Sequence, residues 1–60
     1  MRKICIKLMQ DITNAIDNNT SDSIINEMIE ELANNEEITN QEYTQIYSNI
    51  MLAYKVKFDF

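Results

Sequence analysis

The sequence of 60 residues contains no glycine, no proline and no histidine, and its only cysteine is Cys5. All-β folds depend on Gly and Pro at their turns, so this composition favours helices. A single cysteine excludes an intramolecular disulfide, and the lack of histidine leaves no partner for a Cys/His zinc site. A domain this short must then be stabilised by efficient helix packing or by oligomerisation.

The missing residue types also limit the catalytic and metal-binding chemistry that the chain can perform. The chain offers no histidine as a general base, no base beside Cys5 and no Gly-rich phosphate loop. Asp17-Asn18-Asn19 resembles the start of a calcium loop, but the sixth and twelfth positions hold Asp22 and Met28 instead of Gly and Glu. We therefore expect a protein that is not an enzyme and that uses no metal or cofactor.

The charges are strongly segregated along the chain. The net charge is −5, yet residues 8–54 contain nine acidic residues and no basic one. Because affinity for nucleic acid depends on Lys and Arg, this acidic body disfavours direct nucleic-acid binding. The basic residues all lie near the two ends: Arg2, Lys3, Lys7, Lys55 and Lys57.

The composition also predicts where the protein works. No apolar run approaches the roughly 20 residues that span a bilayer, so we expect no membrane association. A lone thiol and the lack of a signal-peptide pattern favour a reducing cytoplasm. The many Ile and Asn residues are typical of an AT-rich genome. We expect a low-GC bacterium or its phage as the source, and the cytoplasm of a bacterium or infected cell as the location.

Apolar spacing predicts one all-α domain over residues 1–60, a small three-helix bundle with helices at about 3–17, 22–34 and 40–55. Each helix has one apolar stripe. In the first helix this stripe is Cys5, Leu8, Met9, Ile12, Ala15 and Ile16, with Ile4 at its edge; in the second it is Ile25, Met28, Ile29 and Leu32, flanked by Ile24 and Ala33; in the third it is Tyr43, Ile46, Tyr47, Ile50 and Tyr54, widened by Met51.

Local signals predict the helix boundaries. Thr39 and Glu42 have the spacing of a capping box, and Ile38 and Tyr43 have that of a hydrophobic staple. Thr20 or Ser21 is expected to cap the second helix. Since Asn tolerates the left-handed conformation, the pairs at 18–19 and 34–35 are expected to end the first two helices in that conformation.

An alternative remains for the two ends of the chain. Residues 1–8 alternate partly like a strand, and three basic residues at a helix N-terminus oppose the macrodipole. Residues 54–60 also alternate between apolar and charged side chains. The ends could therefore pair as a short two-stranded ribbon beside three helices.

The third helix is the most unusual stretch. No charged residue occurs from Tyr43 to Tyr54, although the outward face of a helix in a small domain normally carries charge. We expect this helix to be covered on more than one side, by its own chain, by a second copy in a homo-oligomer such as a dimer, or by a partner. The candidate binding residues on this helix are Tyr43, Tyr47, Leu52 and Tyr54.

A second candidate surface is acidic. Glu27, Glu30 and Glu31 lie opposite the apolar stripe of the second helix, and Glu36 and Glu37 follow. Three hypotheses result. The chain is a non-catalytic regulator or inhibitor that occupies a partner protein's surface, or a nucleic-acid mimic that blocks the basic groove of a DNA- or RNA-handling protein, or a structural subunit of a larger assembly.

Overall fold

A computed structural model describes residues 1–58 and confirms the three-helix bundle. Helix α1 spans Lys3–Asp17, α2 spans Asp22–Ala33 and α3 spans Asn40–Phe58. The first helix has the predicted bounds, the second ends one residue early, and the third continues three residues further than predicted.

The two-stranded ribbon is wrong for the part of the chain that the structure describes. Residues 3–8 and 54–58 are helical, and no strand occurs within residues 1–58. At the C-terminal end, Lys55 and Lys57 lie in the last turn of α3, where positive charge is favourable to the macrodipole. The rings of Tyr54 and Phe58, four residues apart, also meet with centroids at 4.5 Å. The ribbon's last two residues, 59–60, lie outside the described range.

The core consists of one buried cluster to which all three helices contribute. Its members come from the predicted stripes: Cys5, Ile12, Ile16, Ile25, Leu32, Ile46 and Ile50. The other stripe residues pack around this cluster as half-buried side chains, with the exception of Tyr47. The α3 positions opposite its apolar stripe are all exposed: Thr44, Gln45, Ser48, Asn49 and Leu52.

Helices α1 and α3 run in the same direction and form the main packing pair of the bundle. Arg2, just before α1, contacts Glu42 in the first turn of α3, and Lys57, near the end of α3, contacts Asp17 at the end of α1. Helix α2 runs back between them and packs less extensively on either one. The up-down-up order follows from the two short connections.

The Glu42 carboxylate joins the starting ends of α1 and α3. Its two oxygens accept hydrogen bonds from Arg2 Nε and Nη2, each at 2.7 Å, and from the Cys5 thiol at 3.2 Å. The same Arg2 also donates to the Glu37 carbonyl at 2.7 Å. This contact explains how a helix that begins with basic residues is tolerated, because a carboxylate lies beside them.

The predicted capping box of α3 is present in full. The amide of Glu42 donates to Thr39 Oγ1 at 3.1 Å, and the amide of Thr39 donates to Glu42 Oε1 at 2.9 Å. Ile38 and Tyr43 are both half-buried against the core, where a hydrophobic staple places them. Glu42 therefore caps its own helix and binds the start of another.

The other predicted boundaries are confirmed only in part. Asn19 adopts the left-handed conformation with φ 59° and ends the α1 segment as expected. The same prediction for Asn34-Asn35 is wrong: Asn34 has φ −94°, and the Asn35 side chain instead accepts a hydrogen bond from the Glu37 amide at 2.8 Å. Ser21 occupies the N-cap position of α2, but its side chain makes no capping hydrogen bond. The longer connection after α2 removes the need for a tight left-handed turn.

We predict that Thr39→Ala lowers the free energy of unfolding by about 1 kcal/mol, because it deletes the acceptor that caps α3. The matched control is Thr44→Ala in the same helix, whose hydroxyl only bonds back to the Asn40 carbonyl. We expect the control to change stability by less than about 0.5 kcal/mol. Urea unfolding followed by circular dichroism measures both variants. Equal effects at the two positions would contradict the capping role.

The Glu42 contact also predicts a pH dependence. The hydrogen bond from Arg2, helped by the Thr39 amide and the Cys5 thiol, holds the pKa of Glu42 far below its ordinary value of 4.5. The folded state then binds fewer protons than the unfolded state in acid. The stabilisation is therefore complete above the ordinary pKa and is lost as the pH falls towards the folded-state value.

We expect wild-type stability to decline between about pH 5 and pH 2, and Glu42→Gln to flatten that decline. Glu27→Gln, on the exposed side of α2, should keep the wild-type slope. Denaturant unfolding at a series of pH values measures the difference. The assignment fails if the two variants show the same pH dependence.

Candidate protein-binding surface

A groove lies between α2 and α3 in the described part of the chain. It encloses about 340 Å³. Its floor is apolar, and its edges carry polar groups from both helices. The lining residues are Asp22, Ile25, Asn26, Ile29, Tyr47, Met51 and Tyr54.

Helical spacing explains why these side chains meet. Tyr47, Met51 and Tyr54 lie at i, i+4 and i+7 on one edge of α3. Asp22, Asn26 and Ile29 follow the same spacing along the facing edge of α2. The groove is therefore the line along which two amphipathic helices pack at their core-side edges.

A hydrogen bond closes one end of the groove. Tyr54 Oη donates to Asp22 Oδ1 at 2.9 Å, which ties the C-terminal half of α3 to the first turn of α2. This bond above all, together with burial and the negative charge of Asp22, raises the pKa of Tyr54 above its ordinary value. The phenol is thus held in its protonated, donating form.

The aromatic side chains of α3 form two tilted pairs along the groove. Tyr43 and Tyr47 have ring centroids 5.8 Å apart, and Tyr54 and Phe58 have theirs at 4.5 Å. Such offset contacts restrict the rings, so they present a pre-ordered apolar surface. Ordered aromatic side chains are the type most often found as anchors in protein interfaces.

The structure corrects the prediction for Tyr47. The apolar stripe placed it inside, but 39% of its surface is exposed. Tyr47 lies on the edge of the stripe nearest α2, and the core beside it is filled by Ile46 and Ile50. Tyr47 therefore forms a wall of the groove and does not belong to the core.

The remaining candidate residues do not all come together. Tyr54 lines the groove, and Tyr43 reaches it through the ring of Tyr47. Leu52 is 60% exposed and does not line the groove, but it shares a shallow depression with the groove residues Tyr47 and Met51. Glu27, Glu30 and Glu31 are all exposed, but Glu31 lines a separate, smaller depression of about 170 Å³ between α1 and α2. None of the three lines the groove, and the predicted acidic surface remains one continuous exposed face of α2 with Glu31 at its α1 side.

Val56 is an exposed apolar residue that is not among the predicted site residues. It is 83% exposed and lies one turn beyond Leu52 on the same face of α3. The period-two alternation near the C-terminus drew Val56 into the ribbon alternative. The i, i+4 spacing of Leu52 and Val56 was the signal that could have identified this surface.

The electrostatics of the groove differ between its two walls. The α3 wall has no charged side chain between Tyr43 and Tyr54, whereas α2 carries only acidic charges. Glu30 lies one turn after Asn26, next to the groove along the edge of α2. An apolar floor with acidic groups along one edge fits a ligand that is apolar on one side and basic beside it.

The structure gives three further findings on what the chain can do. Within residues 1–58, no cluster of His, Cys, Asp or Glu has the geometry to hold a metal ion. Over the same range, no helix is both long enough and apolar enough to cross a membrane. Cys5 is fully buried, and burial followed by its bond to Glu42 raises the pKa of its thiol, so it is not available as a nucleophile.

The bond between Tyr54 and Asp22 gives a prediction that spectroscopy can test. We expect one of the three phenols to ionise at a higher pH than free tyrosine in a titration of tyrosinate absorbance. Asp22→Asn should lower that pKa, because the amide oxygen still accepts the bond but the negative charge is gone. Tyr54→Phe should remove the late phase altogether. A late phase that survives in Tyr54→Phe would assign it to another tyrosine.

Comparisons with known proteins add no relative to this picture. No family model matches the chain, and neither a curated protein nor a solved structure matches it. Any functional assignment therefore depends on the surface described above.

Proposed function

We propose that this chain is a small non-catalytic protein-binding regulator or inhibitor that acts in the cytoplasm by occupying the surface of a partner protein. The observation that supports the proposal best is the groove between α2 and α3. It combines an apolar floor, an exposed aromatic wall at Tyr47 and an acidic edge on α2. A chain with such a groove can compete for a partner's surface through binding alone, without a catalytic site.

The chemistry of the groove specifies the class of partner segment. Helix-in-groove recognition places an apolar stripe of a partner helix into a cleft between two helices. Here the acidic edge at Asp22 and Glu30 favours a partner helix with Lys or Arg beside its apolar stripe. The partner we propose is thus a protein with an exposed basic amphipathic helix, which nucleic-acid-handling proteins commonly present.

Nucleic-acid mimicry is the second candidate. Glu27, Glu30 and Glu31 are exposed, and none of them forms an ion pair with another residue in the described range. Free carboxylates of this kind are open to a basic partner surface. This candidate places the binding energy in the charges of α2, whereas the groove proposal places it in the apolar contacts of Tyr47.

A pair of designed helical peptides tests the groove. Both peptides carry the same leucine stripe, flanked by Lys in one peptide and by Glu in the other. We expect the Lys-flanked peptide to bind, with NMR shift changes at Tyr47, Met51 and Ile29. Raising salt from about 0.1 M to about 0.5 M should weaken this binding only modestly, because the contact is mainly apolar.

The matched variants are Tyr47→Glu and Gln10→Glu, which add the same charge to α3 and to the exposed side of α1. We expect Tyr47→Glu to weaken peptide binding by about tenfold or more and Gln10→Glu to leave it unchanged. If attraction were only electrostatic, both variants would bind the basic peptide at least as tightly as the wild type. That result, or loss of binding only on charge reversal of Glu27, Glu30 and Glu31 to Lys, would favour mimicry over the groove.

A further inference from the structure

A shallow depression on α3 adjoins the groove and brings a basic residue to its edge. The depression is lined by Tyr47, Ser48, Met51, Leu52 and Lys55. Tyr47 and Met51 also line the groove, so the two concave surfaces share one ridge. A segment that covers this ridge therefore contacts both the α2 side of the groove and the Lys55 side of the depression.

The two flanks of the ridge carry opposite charges. On the α2 flank, Asp22 lines the groove and Glu30 lies next to it along the helix, which has no basic residue. On the α3 flank, helical spacing places Thr44, Ser48 and Lys55 in one row beside the ridge, and none of them is acidic. The surface is thus acidic on one side of the ridge and basic on the other.

Asp22 and Lys55 both have bonding capacity left for a partner. Asp22 accepts the Tyr54 hydroxyl at Oδ1, which holds the carboxylate at the groove, and no residue of the described chain donates to Oδ2. Lys55 is exposed and forms no ion pair or hydrogen bond with residues 1–58. Lys57 differs in this respect, because it donates to the Asp17 carbonyl.

A docked helix has the right width to contact both flanks. An α-helix with its side chains is about 10–12 Å across, so a helix seated on Tyr47 and Met51 extends over Asp22 on one side and Lys55 on the other. From Tyr47 to Tyr54 the ridge rises about 10 Å along α3, which matches about two turns of the docked helix. One short amphipathic segment therefore covers the whole surface.

We propose that the groove selects an amphipathic partner helix whose apolar stripe has Lys or Arg on one flank and Asp or Glu on the other. The basic flank lies against Asp22 and Glu30, and the acidic flank lies against Lys55. This inference rests on the proposed function and refines it. A partner helix with basic residues on both flanks would bring like charges together at Lys55, which disfavours that partner.

The opposite flanks also determine the direction of the partner helix. Turning a helix end for end on its apolar stripe exchanges its left and right flanks. Only one direction then places the basic flank over α2 and the acidic flank beside Lys55. The groove therefore determines which end of the partner helix lies near Tyr54 and which end lies near Tyr47.

Three designed helical peptides with the same leucine stripe test this selection. One carries Lys on both flanks, and the other two are isomers of identical composition, in which Glu replaces Lys on one flank or on the other. Isothermal titration calorimetry at about 0.15 M salt, where long-range attraction to the acidic protein is screened, gives the ratio of mixed-peptide to doubly basic-peptide affinity.

We expect Lys55→Glu to lower this ratio by about fivefold or more, because the contact with the acidic flank changes from attraction to repulsion. Lys55→Gln should lower it by a smaller factor, and circular dichroism checks that both variants keep their helix content. The matched control is Lys7→Glu, which makes the same charge change at an exposed residue of α1 outside the groove and should leave the ratio unchanged.

A spin label on the peptide N-terminus tests the direction. In one mixed isomer the label should broaden the NMR resonances of Tyr47 and Ile29, and in the other it should broaden those of Asp22 and Tyr54. The two isomers have the same mass, charge and apolar stripe, so only the position of their charges can produce this difference.

The results separate this inference from the proposed function. If Lys55→Glu and Lys7→Glu give the same ratio, or if both isomers broaden the same end of the groove, the charge selection is overturned while binding in the groove is retained. If none of the peptides binds, or if Tyr47→Glu leaves the binding of all three unchanged, the proposed function fails together with the inference.

Discussion

The Glu42 carboxylate connects the start of α1 with the start of α3, and the rest of the bundle depends on that connection. Parallel helices that begin side by side bring two positive dipole ends together, and here Arg2 adds a full positive charge to them. One carboxylate lies beside all three charges and offsets part of them, and it accepts hydrogen bonds from Arg2, from the Thr39 amide and from the Cys5 thiol. At the other end of the pair, Lys57 donates to the Asp17 carbonyl at 3.0 Å, which places a cation at the negative end of α1.

This arrangement also determines which surfaces are left for binding. Two of the five basic side chains bind the ends of neighbouring helices, so they do not neutralise the acidic face of α2. Helix α3 is fixed by its own ends and by the Tyr54 contact with Asp22, and its middle carries no charge. The molecule therefore has an acidic side, an uncharged side and a groove where the two meet. The proposal of a basic amphipathic partner in the groove follows from this division.

Most features that depend on nearby residues could be predicted from the sequence, although the left-handed end expected at Asn34-Asn35 and the side-chain cap expected at Ser21 are absent. The apolar stripes identified every fully buried residue, and the capping box at Thr39 and Glu42 is present as expected. Features that depend on distant residues could not. Arg2 and Glu42 are 40 positions apart, so no local spacing reveals that they pair. Tyr47 was assigned to the core because the stripe alone does not say on which side α2 packs. Val56 was not identified as an exposed helical residue because residues 54–60 alternate like a strand. In the structure, the lysines at the C-terminus of α3 and the contact between Tyr54 and Phe58 favour the helix instead.

The packing of α1 on α3 has a consequence for the order in which the protein folds. Of the three helices, α1 is synthesised before the other two, yet it packs mainly on α3, the last of the three, and less on α2. No pair of consecutive helices therefore reproduces the complete core, which draws Ile16, Ile25 and Ile46 from three separate segments. Bringing Arg2 to Glu42 closes a long loop. The chain loses the entropy of that loop before the core contacts between α1 and α3 stabilise the fold. The chain is thus expected to fold as a single cooperative unit, and only once α3 has been synthesised.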